Sequence, residues 1–532
     1  MINDRDRLDR RVWWPGAALA AGRGAVGLPT GRVSIALVMA VIVGSLAVAS
    51  GATNARIEAV GRPNTSPAAE PPRSDRATVS SPAEAAPVFP LAVRPGERYL
   101  VDAAGKPFLI HGDTAWSLIA DLTREEVDLY LDDRRARGFN TILVSLIETR
   151  FATNAPANAY GQLPFHNQPF ETVAALADLL PSGTLAKYGT LAATLFTDYG
   201  APNEAYFAHA DWVLRRAEQK GFLVLLTPSY TGYKGGTQGW YRAMIMNGAD
   251  RLRQYGEFLG RRYRDFANIV WVHAGDYDPP EKDLVRAIAE GIREFDPRAL
   301  HTAHGAPETA ALEYWQGEPW LQVNNVYTYG PVCPSALEQY VRRKHMPFFL
   351  IESAYENEHE ATERRLRTQA YHAVLCGAAG QVFGNNPIWH FDGPGIYPTP
   401  LTWQEALDSR GAQSMTHLRE LLASVPWWLL EPDSDHRLLT DGIGAEDERA
   451  VAARTADGSL AIVYLPGSRE VTIDLGELAG PRVAARWYDP ADGRFSVVGG
   501  SPFPAAGPRR FDPEPNNGPG SDDWALVLES RS

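Results

Sequence analysis

The chain has 532 residues, 10% of them aromatic, which is too long for one ordinary domain and ample for a large core. Its formal net charge of -13 excludes nucleic-acid binding, which needs a basic surface, and suits a neutral or weakly charged ligand. Two cysteines, Cys333 and Cys376, exclude a disulfide scaffold and any cysteine-based zinc cluster.

Residues 1–53 form a basic leader and an apolar segment. Arg5, Arg7, Arg10, Arg11, Arg23 and Arg32 precede Val33–Ala49, which is apolar and uncharged. That length is near the lower limit for crossing a bilayer. The positive flank keeps the amino side in the cytoplasm. Ala47-Val48-Ala49 resembles a cleavage site. The segment reads as a signal peptide or an uncleaved anchor, a possible membrane tether. Either way the chain is expected to be exported, secreted or held on the outer face of the cytoplasmic membrane. Residues 54–87 read as a disordered linker, with Pro63, Pro67, Pro71, Pro72, Pro82 and Pro87 among Ala, Ser and Glu.

Residues 88–430 alternate apolar runs with helical patterns. Two short strands surround an Ala-Gly turn before His111. A helix opens at Thr123, with Glu126 completing a capping box, and stops at Gly138. Eight strand candidates begin at Phe108, Asn140, Phe222, Ile269, Leu300, Leu321, Pro347 and Gln381. This is the pattern of an α/β protein, a (β/α)8 TIM barrel with insertions. The insertion from 148 to 203 carries Tyr160, Phe165, Phe170 and Tyr199 and is expected to wall the site. Cys376 falls in a helical pattern and reads as a core residue; a bridge to Cys333 is the alternative in an oxidising compartment. From 431 to 532 the pattern becomes short alternating strands separated by turns such as Asp457-Gly458, which is a small all-β sandwich.

Functional residues of such barrels lie at the carboxyl ends of the strands. Those ends supply Asp113 and Trp116, Tyr230, His273 with Asp276 and Asp278, and His304. They also supply Asn325 with Tyr327 and Tyr329, Glu352 with Glu356, and Asn386 with Trp389. Acids, amides and aromatics in that proportion recognise sugar. Asp113, Trp116, Tyr230, His273, Asn325, Tyr327, Tyr329, Glu356, Asn386 and Trp389 are therefore the expected substrate contacts. His273 and His304 read equally well as core histidines, and Asp278 before Pro279 reads as a turn residue. Glu356, Glu358 and Glu360 also suit a helix amino terminus. His359 among them has no second histidine at HExxH spacing, so neither metal nor cofactor is expected.

Two apolar strands end in acids, Ile269 to Asp276 and Phe348 to Glu352. A carboxyl pair is how glycosidic bonds are broken: one attacks the anomeric carbon and the other protonates the leaving oxygen. At roughly 5 Å and an effective dielectric of ~20, repulsion between them is about 3 kcal/mol. That is about two pKa units, enough to keep one protonated. Glu352, flush with the more apolar strand, is assigned as nucleophile. Asp276, on the Gly275 turn, is assigned as acid/base. The competing reading is a non-catalytic, membrane-tethered glycan-binding protein.

Several strings resemble the apiosidase-like proteins, glycoside hydrolase family 140 and its relatives. They are Lys106 to Trp116, Leu122 to Glu126, Tyr130 to Arg134, Pro202 to Phe207 with Asp211, Ile269 to Trp271, Gly275-Asp276, and Asn386 to Trp389. The tail, with Trp487 to Pro490 and Asp522 to Trp524, resembles the collagen-binding-like β domain that often follows. The resemblance implies a retaining barrel glycosidase acting on a plant or microbial polysaccharide. It implies an acid on strand four and a nucleophile on strand seven, the positions of Asp276 and Glu352. The family usually has two glycines before that acid, where this chain has Ala274-Gly275.

Overall fold

A computed structural model of the protein describes residues 86–167, 197–342, 346–514 and 521–532. The apolar segment 33–49, most of the proline-rich linker and Phe170 lie outside the described residues. Among the described residues no helix is long and apolar enough to cross a membrane.

Eight parallel strands form the barrel: β1 (Ile110–Thr114), β2 (Thr141–Ser145), β3 (Leu223–Thr227), β4 (Ile269–Ala274), β5 (Leu300–His304), β6 (Asn324–Tyr327), β7 (Phe348–Glu352) and β8 (Gly380–Phe383). Their order in the sheet is β5-β4-β3-β2-β1-β8-β7-β6. The seam between β5 and β6 is closed by the Gln322 and Val323 amides, which donate to the His301 carbonyl at 3.1 and 3.2 Å. Along each strand successive side chains point to opposite faces. Leu143, Leu225, Val270, Val272, Phe349 and Ile351 fill the barrel interior. Ile142, Val144, Leu226, Trp271, Phe348 and Leu350 face the surrounding helices. Both faces are buried, which is why the strands read as unbroken apolar runs. Leu100 and Phe108, from a small antiparallel sheet ahead of β1, join the interior cluster.

Seven helices matter below: α1 (Arg124–Ala136), α2 (Glu204–Gln219), α3 (Tyr241–Tyr263), α4 (Lys282–Phe295), α5 (Val332–Arg342), α6 (Glu363–Leu375) and α7 (Arg410–Ala423). α1 starts with the Thr123/Glu126 capping box expected from the sequence. Two expectations need correction. Cys376 is buried as expected, but it is bonded to Cys333, with the Cα atoms 5.5 Å apart. Neighbouring helices α5 and α6 bring the pair together, a proximity that spacing along the chain does not reveal. Nor do Tyr160, Phe165 and Tyr199, the expected aromatics that lie among the described residues, wall the site; Phe151, at the start of the insertion, packs on Trp389 instead. Phe165 and Tyr199 are buried against each other and against Trp240 and Tyr255, on the outside of the barrel. Tyr160 packs edge-on against His209 of α2.

Beyond residue 430 antiparallel strands form a large sheet and a three-stranded one. Ala461, Val463, Leu465, Ile473, Val483, Leu526 and Leu528 make the core of this sandwich. The alternate residues Ile462, Tyr464 and Val527 face the barrel's helices.

Candidate active site

Strict alternation along β7, with Phe349 and Ile351 inside, would turn Glu352 outward. A β-bulge reverses this. The register runs Val326↔Leu350 and then Tyr327↔Glu352, so Ile351 is the extra residue. Bulges of this kind re-aim a side chain. Glu352 thereby points into the mouth of the barrel, where Tyr329 donates to its Oε1 at 2.9 Å. His304 Nε2 lies 3.0 Å from its Oε2.

At the end of β4 the chain leaves the sheet through three residues of positive φ: Ala274 (62°), Gly275 (140°) and Asp276 (52°). A Cβ on Gly275 would lie 2.1 Å from the Tyr230 ring, so only glycine lets that ring pack against the turn. Tyr230 in turn donates to Asp276 Oδ2 at 2.6 Å. Asp276 Oδ1 has no hydrogen bond. Oδ1 is itself buried, while about 20% of the Asp276 side chain as a whole is exposed.

His304 stands between the two acids. Its position on β5 shares the interior face with Leu300 and Thr302. Nδ1 is 3.8 Å from Asp276 Oδ1, and also 3.3 Å from the Asp276 amide and from the Gly305 carbonyl. Nδ1 therefore has a partner whether the ring is neutral or charged. Trp116 and Tyr327 enclose the imidazole, with ring centroids 5.6 and 4.7 Å away. One carboxyl oxygen from each of Asp276 and Glu352 and one nitrogen of His304 lie within 4.8 Å of one another. Among the described residues this trio alone has the spacing to hold a metal ion.

The surroundings shift both Asp276 and His304. Burial, and then the charge of Glu352, raise Asp276 above the usual carboxylate range; His304 and the Tyr230 and Tyr327 hydroxyls offset this only in part. Burial alone would lower His304. Its hydrogen bond to Glu352 and the two carboxylate charges outweigh that, and its pKa is raised.

The other expected contacts divide in two. Trp116, Tyr230, Tyr327, Tyr355 and Trp389 share the interior cluster at the site, and Trp116 Nε1 donates to the Tyr355 hydroxyl at 3.3 Å. Tyr329 is 41% exposed at the rim. The remaining five are corrected. Asp113 is fully buried on the outer face of β1, where it accepts from Tyr130 at 2.7 Å and pairs with Arg134 at 3.4 Å. His273 shares the outer face of β4 with Trp271, hydrogen-bonds His301 at 2.8 Å and packs on Trp320. Asn325 fastens the seam, donating to the Ala303 carbonyl at 2.6 Å and to Thr302 at 2.9 Å. Glu356 accepts from the Gly411 amide in the first turn of α7 at 2.8 Å and from Asn385 at 2.7 Å. Asn386 is buried, bonded to His390 and to the Tyr397 carbonyl. Asp278 accepts from the Ala306 amide at 3.2 Å and ties two loops together, as a turn residue does.

Sequence reasoning left His304 open, passed over Tyr355, and read Glu358 as a helix-terminus residue, whereas the helix starts later, at Glu363 with Thr362 as its cap. Strand parity from Leu300 places His304 inside the barrel. No comparable signal marks Glu358, which is positioned by its loop.

A family model described as "Apiosidase-like, catalytic domain" matches residues 94–429. The chain belongs to the apiosidase-like family. A second model, described as "Putative collagen-binding domain of a collagenase", matches residues 432–529. No curated protein matches the chain. Among solved structures, a glycoside hydrolase family 5 protein from Bacteroides vulgatus is similar in fold, with 23% identity and a TM-score of 0.68 over 83% of this chain and 93% of that one. Another, a glycoside hydrolase, has 25% identity and a TM-score of 0.66 over 83% of this chain and 96% of that one. The apiosidase-like domain is a TIM-barrel glycoside hydrolase, and its substrate is a carbohydrate.

Proposed function

We propose that the protein is an exported, retaining glycosidase of plant or microbial polysaccharide. Glu352 attacks the anomeric carbon, and Asp276 protonates the leaving oxygen and then deprotonates the incoming water. The observation that carries this reading is the spacing of the two acids. Their nearest oxygens lie within 4.8 Å. Retaining pairs stand roughly 5–5.5 Å apart, and inverting pairs stand farther apart to admit a water between them. The donors Tyr329 and His304 fix the Glu352 carboxylate for attack. Burial and the Glu352 charge favour the protonated form of Asp276, as a general acid requires. Once Glu352 is esterified that charge is gone, and Asp276 can act as base. Export is supported by the basic, apolar leader and by the Cys333–Cys376 bridge, since disulfides persist in oxidising compartments. A tether through residues 33–49 is the form of export in which the leader is not cleaved.

Glu352→Ala should lower kcat on an activated aryl glycoside by at least about a thousandfold, the scale seen when a covalent nucleophile is removed. Asp276→Ala should fail most on poor leaving groups, with azide restoring part of the turnover of good ones. Proton NMR of the first product should show retained anomeric configuration. Wild-type rates in Glu352→Ala, or an inverted product, would refute the assignment.

A further inference from the structure

The loop after β7 is, with the turn after β4, an irregular stretch of backbone near the site. Asn357, His359 and Glu360 have φ of 66°, 49° and 57°. Non-glycine residues rarely take such values, and they collect where a loop must present a side chain to a ligand. The loop is tied down on both sides of Glu358. Asn357 Nδ2 donates to the Asn386 carbonyl at 2.8 Å, and the Glu358 amide donates to the Tyr355 carbonyl at 3.2 Å. The Glu358 carbonyl accepts from the Ala361 amide at 2.9 Å.

This arrangement sets the Glu358 carboxyl against Trp389, whose Nε1 donates to Oε1 at 2.8 Å. Glu358 is only 9% exposed. Its other oxygen has no hydrogen-bond partner among the described residues. His359 holds the Tyr397 ring edge-on at 4.5 Å, on the same loop. Burial, and to a lesser degree the charge of Glu352, lift Glu358 to about 7 against the opposing Trp389 hydrogen bond. The mechanism above makes no use of this third carboxyl. A buried acid with one anchored oxygen and one unengaged oxygen, beside a nucleophile, has the form of a hydroxyl-binding group.

We propose that Glu358 is a specificity-determining residue, whose unanchored oxygen binds a hydroxyl of the sugar bonded at Glu352 and whose charge rejects uronic acids. This rests on the glycosidase reading. The ligand class is a neutral sugar, because a uronate carboxylate would meet Glu352 and Glu358 together.

The test separates binding from turnover. Glu352→Gln protein, and the same protein also carrying Glu358→Gln, are titrated at pH 8, where Glu358 is ionised, with neutral and uronate-bearing plant and microbial oligosaccharides, both variants being checked as folded by circular dichroism. The second change should weaken neutral glycans by about tenfold or more, the scale of a hydrogen bond to a charged group. Uronate glycans should gain relative to neutral ones, a shift that mere support of Trp389 would not cause. If Gln at this position unfolds the protein, Glu358→Asp replaces it; it keeps the charge but withdraws it by one methylene. Equal affinities in both proteins, a parallel loss for both glycan classes, or no glycan binding by Glu352→Gln would overturn the proposal. Failure of the glycosidase reading looks different: wild-type protein would release no sugar from glycans that Glu352→Gln binds.

Discussion

At the scale of single residues, the barrel mouth sets Asp276 beside a second carboxyl, Glu352, in a poorly solvated place. Asp276 is mostly withdrawn from solvent, and both effects favour its protonated form. A carboxyl whose pKa is raised on folding costs nothing at low pH, where both states are protonated. The cost grows as pH climbs from the unfolded value towards the folded one, and is complete above it. Asp276→Asn should therefore melt above wild type at pH 8, with the difference gone near pH 3, as differential scanning calorimetry would record. The same substitution should remove general-acid catalysis. Ala274 illustrates local strain at the same turn. A left-handed alanine costs roughly 1–2 kcal/mol, part of which glycine gives back through the freedom of its unfolded chain. Ala274→Gly should gain up to about 1 kcal/mol in urea unfolding while leaving kcat close to wild type.

At the scale of elements, strand phase decides which side chains reach the substrate. Asp113 and His273 lie at strand ends as a catalytic reading requires, yet alternation turns both towards the helices. Their neighbours in sequence hold the information. Trp271 faces out, so His273 two residues on faces out as well. Glu352 obeys no such count, because the bulge at Ile351 shifts the phase of β7 by one. Glu356 belongs to this scale too, since its carboxylate satisfies an amide in the first turn of α7. Glu356→Ala leaves that amide unpaired and leaves Asn385 Nδ2 with only Ser409 as acceptor. It should cost about 1–3 kcal/mol in urea unfolding, with KM within about twofold of wild type because the side chain faces α7 rather than substrate.

At the scale of the whole molecule, the β domain is fastened to the barrel rather than strung behind it. Arg367 of α6 and Asp523 of the β domain are both fully buried and paired at 2.7 Å. Tyr464 donates to the same carboxylate at 2.9 Å, and its ring stacks on Tyr371 of α6 at 4.4 Å. Arg367→Ala removes one partner of a buried ion pair. That should cost about 3–5 kcal/mol, read as a fall in the urea midpoint, and Arg367→Lys should recover only part of it. The contact also reaches the site. Arg365 pairs with Asp447 of the β domain and donates to the Tyr329 carbonyl at 2.6 Å. The loop whose Tyr329 donates to Glu352 is thus held partly from the second domain.

Much of this was legible in the chain. Eight apolar runs spaced by helical patterns define a barrel, because strands buried on both faces must be apolar throughout. Runs that end in an acid mark Asp276 and Glu352, because an acid cannot stay within such a run without a partner. What the chain alone does not settle is phase and proximity. The bulge in β7, the left-handed turn at Ala274-Gly275-Asp276 and the bridge between Cys333 and Cys376 depend on neighbours distant in sequence. So does the placement of His304 between two acids from other strands. Only the closed barrel brings β4, β5 and β7 together at one mouth, and that closure turns two separate strand-end acids into a pair.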